Sequence, residues 1–250
     1  MPYFVQMILE LCLIFFLIAL VYSSAGFGGG SSYLALLALY GIGFQLVKST
    51  ALICNVAVVA GGVWQFHASG QLPWKKAMQL SVFSVPMAFI GSYMPLKQEA
   101  FFLLLGIALV LAAVLMGVKL VKEKQYTVKG QRGWQFTAVG GGIGFLSGIT
   151  GIGGGIYLAP VLRLGRYDTP KHIAGLCSFF ILVNSLAGLL GQWAKNAVVF
   201  RAEVTLPLLA AVIVGGQIGS RLSAAILKPR WVEVATAVLI LYAGVRMLLK

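Results

Sequence analysis

Stretches of roughly 17–25 apolar residues recur along this chain of 250 residues, and about 20 helical residues are what it takes to cross the hydrocarbon of a bilayer. Such stretches must be helical there, because lipid offers no water to satisfy backbone N–H and C=O groups. Composition agrees: 60% of the residues are hydrophobic and 10% charged, against about 45–50% and about 25% in a soluble domain. Disordered, collagen-like and ordinary soluble-enzyme classes are thereby excluded. The chain reads as an all-α polytopic membrane protein.

The sequence also repeats itself. Gly26-Phe27-Gly28-Gly29-Gly30 returns as Gly151-Ile152-Gly153-Gly154-Gly155, an offset of 125. Lys48-x-x-Ala51-x-x-Cys54 returns as Lys171-x-x-Ala174-x-x-Cys177 at 123, and Ile90-Gly91-Ser92 as Ile218-Gly219-Ser220 at 128. Kept order with drifting offsets indicates duplication with small insertions. The expected repeats are 1–121 and 134–250, joined by the loop 122–133, which overlaps the one long polar run, 119–132. Within the third segment a second register competes: Asn55-x6-Gly62-x-Trp64 resembles Asn184-x6-Gly191-x-Trp193 at an offset of 129. Both registers stay open at this point.

Each half holds five apolar segments: 4–24, 31–44, 49–66, 77–96 and 99–118, then 135–149, 154–165, 173–193, 203–224 and 231–248. The second of each is too short to span at about 1.5 Å per residue. Segment 135–149 is short as well and carries Gly140, Gly141, Gly142 and Gly144. The reading is a Gly-broken helical hairpin plus three spanning helices per half, 8–10 membrane segments in all. An even number of crossings in the hairpin and an odd number after it gives two inverted-topology repeats.

Charge tests the sidedness. Lys48, Lys97, Lys195, Arg201, Arg246 and Lys250 fall on the side of the N-terminus, and the other thirteen of the 19 basic residues fall opposite. The positive-inside rule then places the connecting loop in the cytoplasm and both termini outside. The net charge of +13 belongs to basic loops facing anionic lipid. No aromatic-studded basic domain suited to nucleic acid is present. Residues 4–24 lack the basic n-region of a signal peptide and are read as retained structure.

The Gly-rich turns admit two readings. They fail as a dinucleotide fingerprint, since Gly26-Phe27-Gly28-Gly29-Gly30-Ser31 lacks the final glycine and any β-α-β context. Small residues let membrane helices approach closely, so packing is one reading. The other is an anion site, because a glycine turn feeding a short helix exposes N–H groups at a positive helix terminus. Two such turns related by inversion would face each other across a central cavity. Gly26, Gly28, Gly29 and Gly30 with Ser31 form one candidate set, and Gly151, Gly153, Gly154 and Gly155 with Thr150 the other; Ser32 adds a hydroxyl. Cys54, Asn55, Cys177 and Ser178 put small polar groups into apolar helices, either for helix–helix hydrogen bonds or to line the same cavity. Lys48 and Lys171 stand at helix entrances, where they either attract an anion or snorkel to the interface.

Other chemistry has little support. Glu10 is the one carboxylate well inside an apolar segment, a functional candidate by default, although it lies near the outer end. A proton relay needs a chain of such groups. His67 and His172 fall in or beside loops. The three cysteines, Cys12, Cys54 and Cys177, form no CxxC, so no metal, disulfide or cofactor is expected. Ser31 follows a glycine run without a GxSxG and without a helix-centre histidine, which disfavours a hydrolase.

On these residues the chain resembles the TauE/SafE family of bacterial inner-membrane exporters of sulfite and organosulfonates. The carriers are Ala25-Gly26-Phe27-Gly28-Gly29-Gly30, then Thr150-Gly151-Ile152-Gly153-Gly154-Gly155 followed by Pro160, and Ala51-x-x-Cys54-Asn55 with Ala174-x-x-Cys177-Ser178. Cys stands in both copies where the family pattern has Thr. The resemblance implies a secondary transporter, not an enzyme, whose partners are the lipid bilayer and a small anionic substrate: sulfite, a sulfonate or a related carboxylate. A homo-oligomer is compatible with it. The competing readings are an anion channel and a non-transporting membrane scaffold or assembly protein.

Overall fold

The computed structural model describes residues 2–24, 26–122, 133–222 and 229–249. Ala25 of the first glycine motif and residues 123–132 of the connecting loop lie outside them. Among the described residues there are ten α-helices and no strand. They are α1 (Pro2–Ser24), α2 (Gly30–Leu39), α3 (Phe44–Ala68), α4 (Trp74–Tyr93), α5 (Gln98–Lys122), α6 (Gly133–Thr150), α7 (Gly155–Leu164), α8 (Pro170–Ala194), α9 (Ala202–Leu222) and α10 (Pro229–Leu248).

Five of them are long and apolar enough to cross a membrane: Tyr3–Ser24, Phe44–Ala68, Gln98–Val118, Pro170–Ala194 and Ala202–Arg221. Helices α2 and α7 have 10 residues each, about 15 Å of helix, half of the hydrocarbon thickness. They are the short second segments expected from the sequence. Leu9, Leu13 and Leu17 of α1 and Leu103, Ile107, Leu111 and Val114 of α5 are exposed. They recur every three or four residues, so each helix shows a continuous apolar stripe on its outer face. In lipid that stripe needs no protein cover.

Contacts cross between the first five helices and the last five. Helix α4 packs along α6 and α9 along α1, while α3 packs on α8 and α5 on α10. Glycine makes the first two contacts close. The Cα atoms of Gly140, Gly144 and Gly148 on α6 rest on the carbonyl oxygens of Leu80, Ser84 and Ala88 on α4, leaving no room for a Cβ. Gly215 and Gly219 on α9 rest in the same way on Phe16 and Leu20 of α1, where Ser23 Oγ also donates to the Gly216 carbonyl at 2.9 Å. Helices without a hydrophobic drive between them associate through such close approach. Helix α6 covers the short segment 135–149 and runs unbroken over 18 residues. Its glycines at intervals of four are a packing face, and the break falls after Thr150.

Helices α4 and α8 run parallel and are tied at both ends. Near their starts Lys76 Nζ donates to Asp168 Oδ2 at 2.6 Å. Midway Asn184 Nδ2 donates to Ser84 Oγ at 3.0 Å and Ser92 Oγ to the Gly188 carbonyl at 2.7 Å. At their far ends Lys195 Nζ donates to the carbonyls of Ser92 and Met94.

Candidate functional site: two glycine turns on one asparagine

Each turn ends in a left-handed residue that caps a short helix, Gly29 (φ 80) for α2 and Gly154 (φ 84) for α7. Gly151 and Gly153 share that conformation, as does Gly26. A residue with a Cβ is disfavoured there by about 1–2 kcal/mol, which accounts for the runs of glycine. The first N–H groups of any helix have no acceptor within it. Among the described residues, no backbone acceptor is found for the N–H of Gly28, Gly29, Gly153 or Gly154.

The two turns meet on Asn55 of α3. Its Nδ2 donates to the carbonyl of Ile152, in the second turn, at 2.9 Å. On the opposite side a Cβ at Gly28 or Gly30, in the first turn, would run into the Asn55 amide. Asn55 is fully buried, and its Oδ1 has no partner. The bond to Ile152 fixes which amide atom is which. Ser185 on α8 has a buried, unpartnered hydroxyl, and a Cβ at Gly153 would lie 2.8 Å from it. The Ser147 side chain stands against Gly154, and its hydroxyl is unpartnered too. Unpaired polar groups in an apolar interior are costly, about 1–3 kcal/mol each. Their concentration around two helix N-termini makes this junction the candidate site.

The structure distributes the expected site residues as follows. Gly26, Gly28 and Gly30 join Gly153 and Gly155 around α3 and α8, with Gly29, Gly151 and Gly154 shaping the turns. Ser178 Oγ donates to the Gly26 carbonyl at 2.8 Å and so pins the first turn to α8. Thr150 Oγ1 donates to the Leu146 carbonyl at 2.7 Å, inside its own helix. Ser31 is buried at the start of α2, and Ser32 is bonded to Tyr22 at 2.8 Å. Cys54 and Cys177 belong to the hydrophobic core. Glu10 is exposed beside Gln6 and Tyr40, away from the junction. Ser147 and Ser185 were not distinguishable in the sequence, since hydroxyls are frequent in membrane helices. Among the described residues no three His, Cys, Asp or Glu side chains come together to hold a metal ion.

Contacts around the junction pair positions at a constant offset. Gly26 rests on Ala174 and Gly151 on Lys48; Gly62 faces Ser178 and Gly188 faces Leu52. The corresponding positions 48 and 174, 52 and 178, and 62 and 188 are each 126 apart. Neither 123 nor 129 is therefore the register of the contacts, and each sequence match is displaced by three residues, about one helical turn. By this relation Asn55 corresponds to Ile181, which stands against Gly153 and Gly155 as Asn55 stands against Gly28 and Gly30. Only one of the two turns meets an amide from its own half. The same pairs show α3 and α8 running antiparallel.

A family model described as sulfite exporter TauE/SafE matches residues 11–247. The chain belongs to the TauE/SafE family. Among curated proteins it is similar to a probable membrane transporter protein, y4hK, of Sinorhizobium fredii, with 33% identity over 243 residues, 95% of this chain and 97% of that one. A probable membrane transporter protein of Methanocaldococcus jannaschii, MJ0441, is 22% identical over 199 residues, 74% of this chain and 72% of that one. No solved structure matches this TauE/SafE chain. Family and relatives together make it a multi-pass membrane transporter, with a small-molecule substrate and a lipid surround.

Proposed function

We propose that the protein exports small oxyanions, sulfite or organosulfonates, across the bacterial inner membrane by alternating access. The observation that carries this reading is the meeting of two helix N-termini, whose first N–H groups find no backbone acceptor among the described residues, on the buried amide of Asn55. Such termini hold about half a positive charge each and suit an anion without any fixed cation. Discontinuous helices meeting at the middle of two repeats are the substrate-site pattern of many secondary transporters. The matched contacts across α3 and α8, and their antiparallel course, support two inverted repeats, 1–121 and 134–250.

In this arrangement Gly28, Gly30 and Gly153 are packed against Asn55 without space for a Cβ. The substrate enters only as turns and amide separate, which favours gated access over an open anion channel. The orphaned polar groups disfavour a scaffold, because a scaffold gains nothing from them. With both termini outside and the 122–133 loop cytoplasmic, an inside-negative potential drives a monovalent anion outward by about 2.3 kcal/mol per 100 mV. No proton relay and no catalytic group is then required. Flux of labelled sulfite, a taurine-type sulfonate and acetate into proteoliposomes, with and without an imposed potential, tests the reading. Saturable, potential-sensitive movement of a sulfur oxyanion is expected. Movement of none of these by folded protein contradicts it.

A further inference from the structure

A second feature lies at the end of the bundle where α3 starts and α8 finishes. A cavity of about 210 Å³ opens there between Phe44, Gln45 and Lys48 of α3, the residues following α4, and Gln192 and Lys195 at the end of α8. At about 30 Å³ per water, its volume suits a small hydrated ion. Two of its lining residues are lysines and none carries a carboxylate.

The two lysines differ in setting. Lys195 is half-buried, and its ammonium donates to the carbonyls of Ser92 and Met94. An ammonium has three donors, so one remains. Lys48 is only 6% exposed. Its ammonium has a ring as its neighbour, Phe101, with the centroid 5.8 Å away, and no ion pair is found for it among the described residues. Burying a charge without a partner is expensive. Gln192 adds an independent sign. It is 2% exposed, its Oε1 accepts from Ser49 Oγ at 2.9 Å, and its Nε2 has no partner. Two cations and an orphaned amide donor therefore line one small cavity, and each has donor capacity left: one N–H of Lys195, the Gln192 Nε2 and the Lys48 ammonium.

The cavity is also joined to the glycine junction. The aliphatic stem of Lys48 lies on Gly151, where an added Cβ would come 2.9 Å from Lys48 Cγ. One side chain thus reaches from the second turn into the cavity.

We propose that this cavity is a second anion subsite, in which Lys48, Lys195 and the Gln192 Nε2 hold a small oxyanion on its way to or from the glycine turns. The inference rests on the anion-transport reading and extends it. The subsite lies at the end that the charge distribution places outside, so it receives the anion after the turns release it. Its cations offset the charge that the ion carries out of the turns, and its small volume rejects bulky anions.

Equilibrium binding of labelled sulfite to the purified full-length protein in detergent tests this, with Lys48→Met, Lys195→Met and Gln192→Leu beside Lys48→Arg. Saturable binding to the unaltered protein is expected. Affinity should fall tenfold or more in each Met variant and severalfold in Gln192→Leu, and stay within about threefold in Lys48→Arg. Size-exclusion profiles establish folding, and the half-exposed Lys195 gives a usable variant even where Lys48→Met fails to fold. Sulfite binding and flux left unchanged by both Lys195→Met and Gln192→Leu overturn the subsite and leave anion transport standing. Failure of the unaltered protein to bind or move sulfite, sulfonate or acetate overturns both.

Discussion

The side-chain amide of Asn55 donates to the backbone carbonyl of Ile152 at 2.9 Å, and this one bond ties α3 of the first half to the glycine turn of the second. Replacing Asn55 with Ala leaves that carbonyl unsatisfied in a dry interior, at a cost of about 1–3 kcal/mol. Asn55→Asp does more. It removes the donor and sets a negative charge where the account places the anion. Thermal unfolding should show both variants destabilised, and vesicle flux should show Asn55→Asp inactive even at a temperature where it is folded.

Gly153 and Gly41 separate backbone strain from lost space. Both are left-handed, with φ 83 and φ 73. Alanine at Gly41 meets nothing within 4 Å, whereas at Gly153 it meets Asn55, Ile181 and Ser185 at 2.8 Å. Gly41→Ala should cost only about 1–2 kcal/mol of strain and keep transport. Gly153→Ala should lose more stability and lose flux. Equal behaviour of the two in melting and transport assays would remove the glycine junction from the mechanism.

Much of this arrangement was legible in the sequence, and the remainder has physical reasons for being hidden. The turns at 26–30 and 151–155 stood out because runs of glycine recur in order, and α2 and α7 were too short to span. The role of the glycines of 140–144 was not legible, because glycine serves both to break a helix and to let another helix come close. Only the presence of α4, with the carbonyls of Leu80 and Ser84 beneath Gly140 and Gly144, decides between these. The register of α3 on α8 was obscured for a related reason. A shift of three residues keeps nearly the same helix face, so Cys54 and Asn55 found plausible matches one turn away in either direction. Nothing local to Lys195 indicates that it shares a cavity with Lys48, 147 positions earlier.

Lys48 should show a conflict between stability and function. Among the described residues its buried ammonium has no ion partner, and replacing such a charge with an apolar side chain of similar length commonly stabilises by about 1–4 kcal/mol. In anion-free buffer Lys48→Met should therefore melt higher than the unaltered protein. Adding sulfite should raise the melting temperature of the unaltered protein, because a ligand that binds only the folded state stabilises it. The variant should respond less. Scanning fluorimetry across a sulfite series reads both effects.

Asp168 should give the fold an acid-sensitive tie. Burial pushes its carboxyl up, but hydrogen bonds from Lys76, His172 and the Thr169 N–H, with the Lys76 charge, outweigh burial and hold it below the usual carboxylate value. A carboxyl lowered by folding stabilises above its unfolded value of about 3.9, and this contribution is lost as pH falls through the lower folded value. Lys76 is more than a third exposed, so solvent screening limits the tie to about 1 kcal/mol. Asp168→Asn should lower stability at neutral pH, and the difference from the unaltered protein should shrink below about pH 4. Melting curves between pH 3 and 7 in detergent measure this, and a difference that stays constant over that range would argue against the tie.

The most direct test of the central claim is potential-driven sulfite flux in proteoliposomes holding the unaltered protein, Asn55→Asp or Gly41→Ala, with each shown to be folded. The account predicts saturable flux that follows the imposed potential in the unaltered protein, survives in Gly41→Ala and disappears in Asn55→Asp. Undiminished flux in Asn55→Asp would contradict it, because an anion path cannot run through two glycine turns that share a carboxylate.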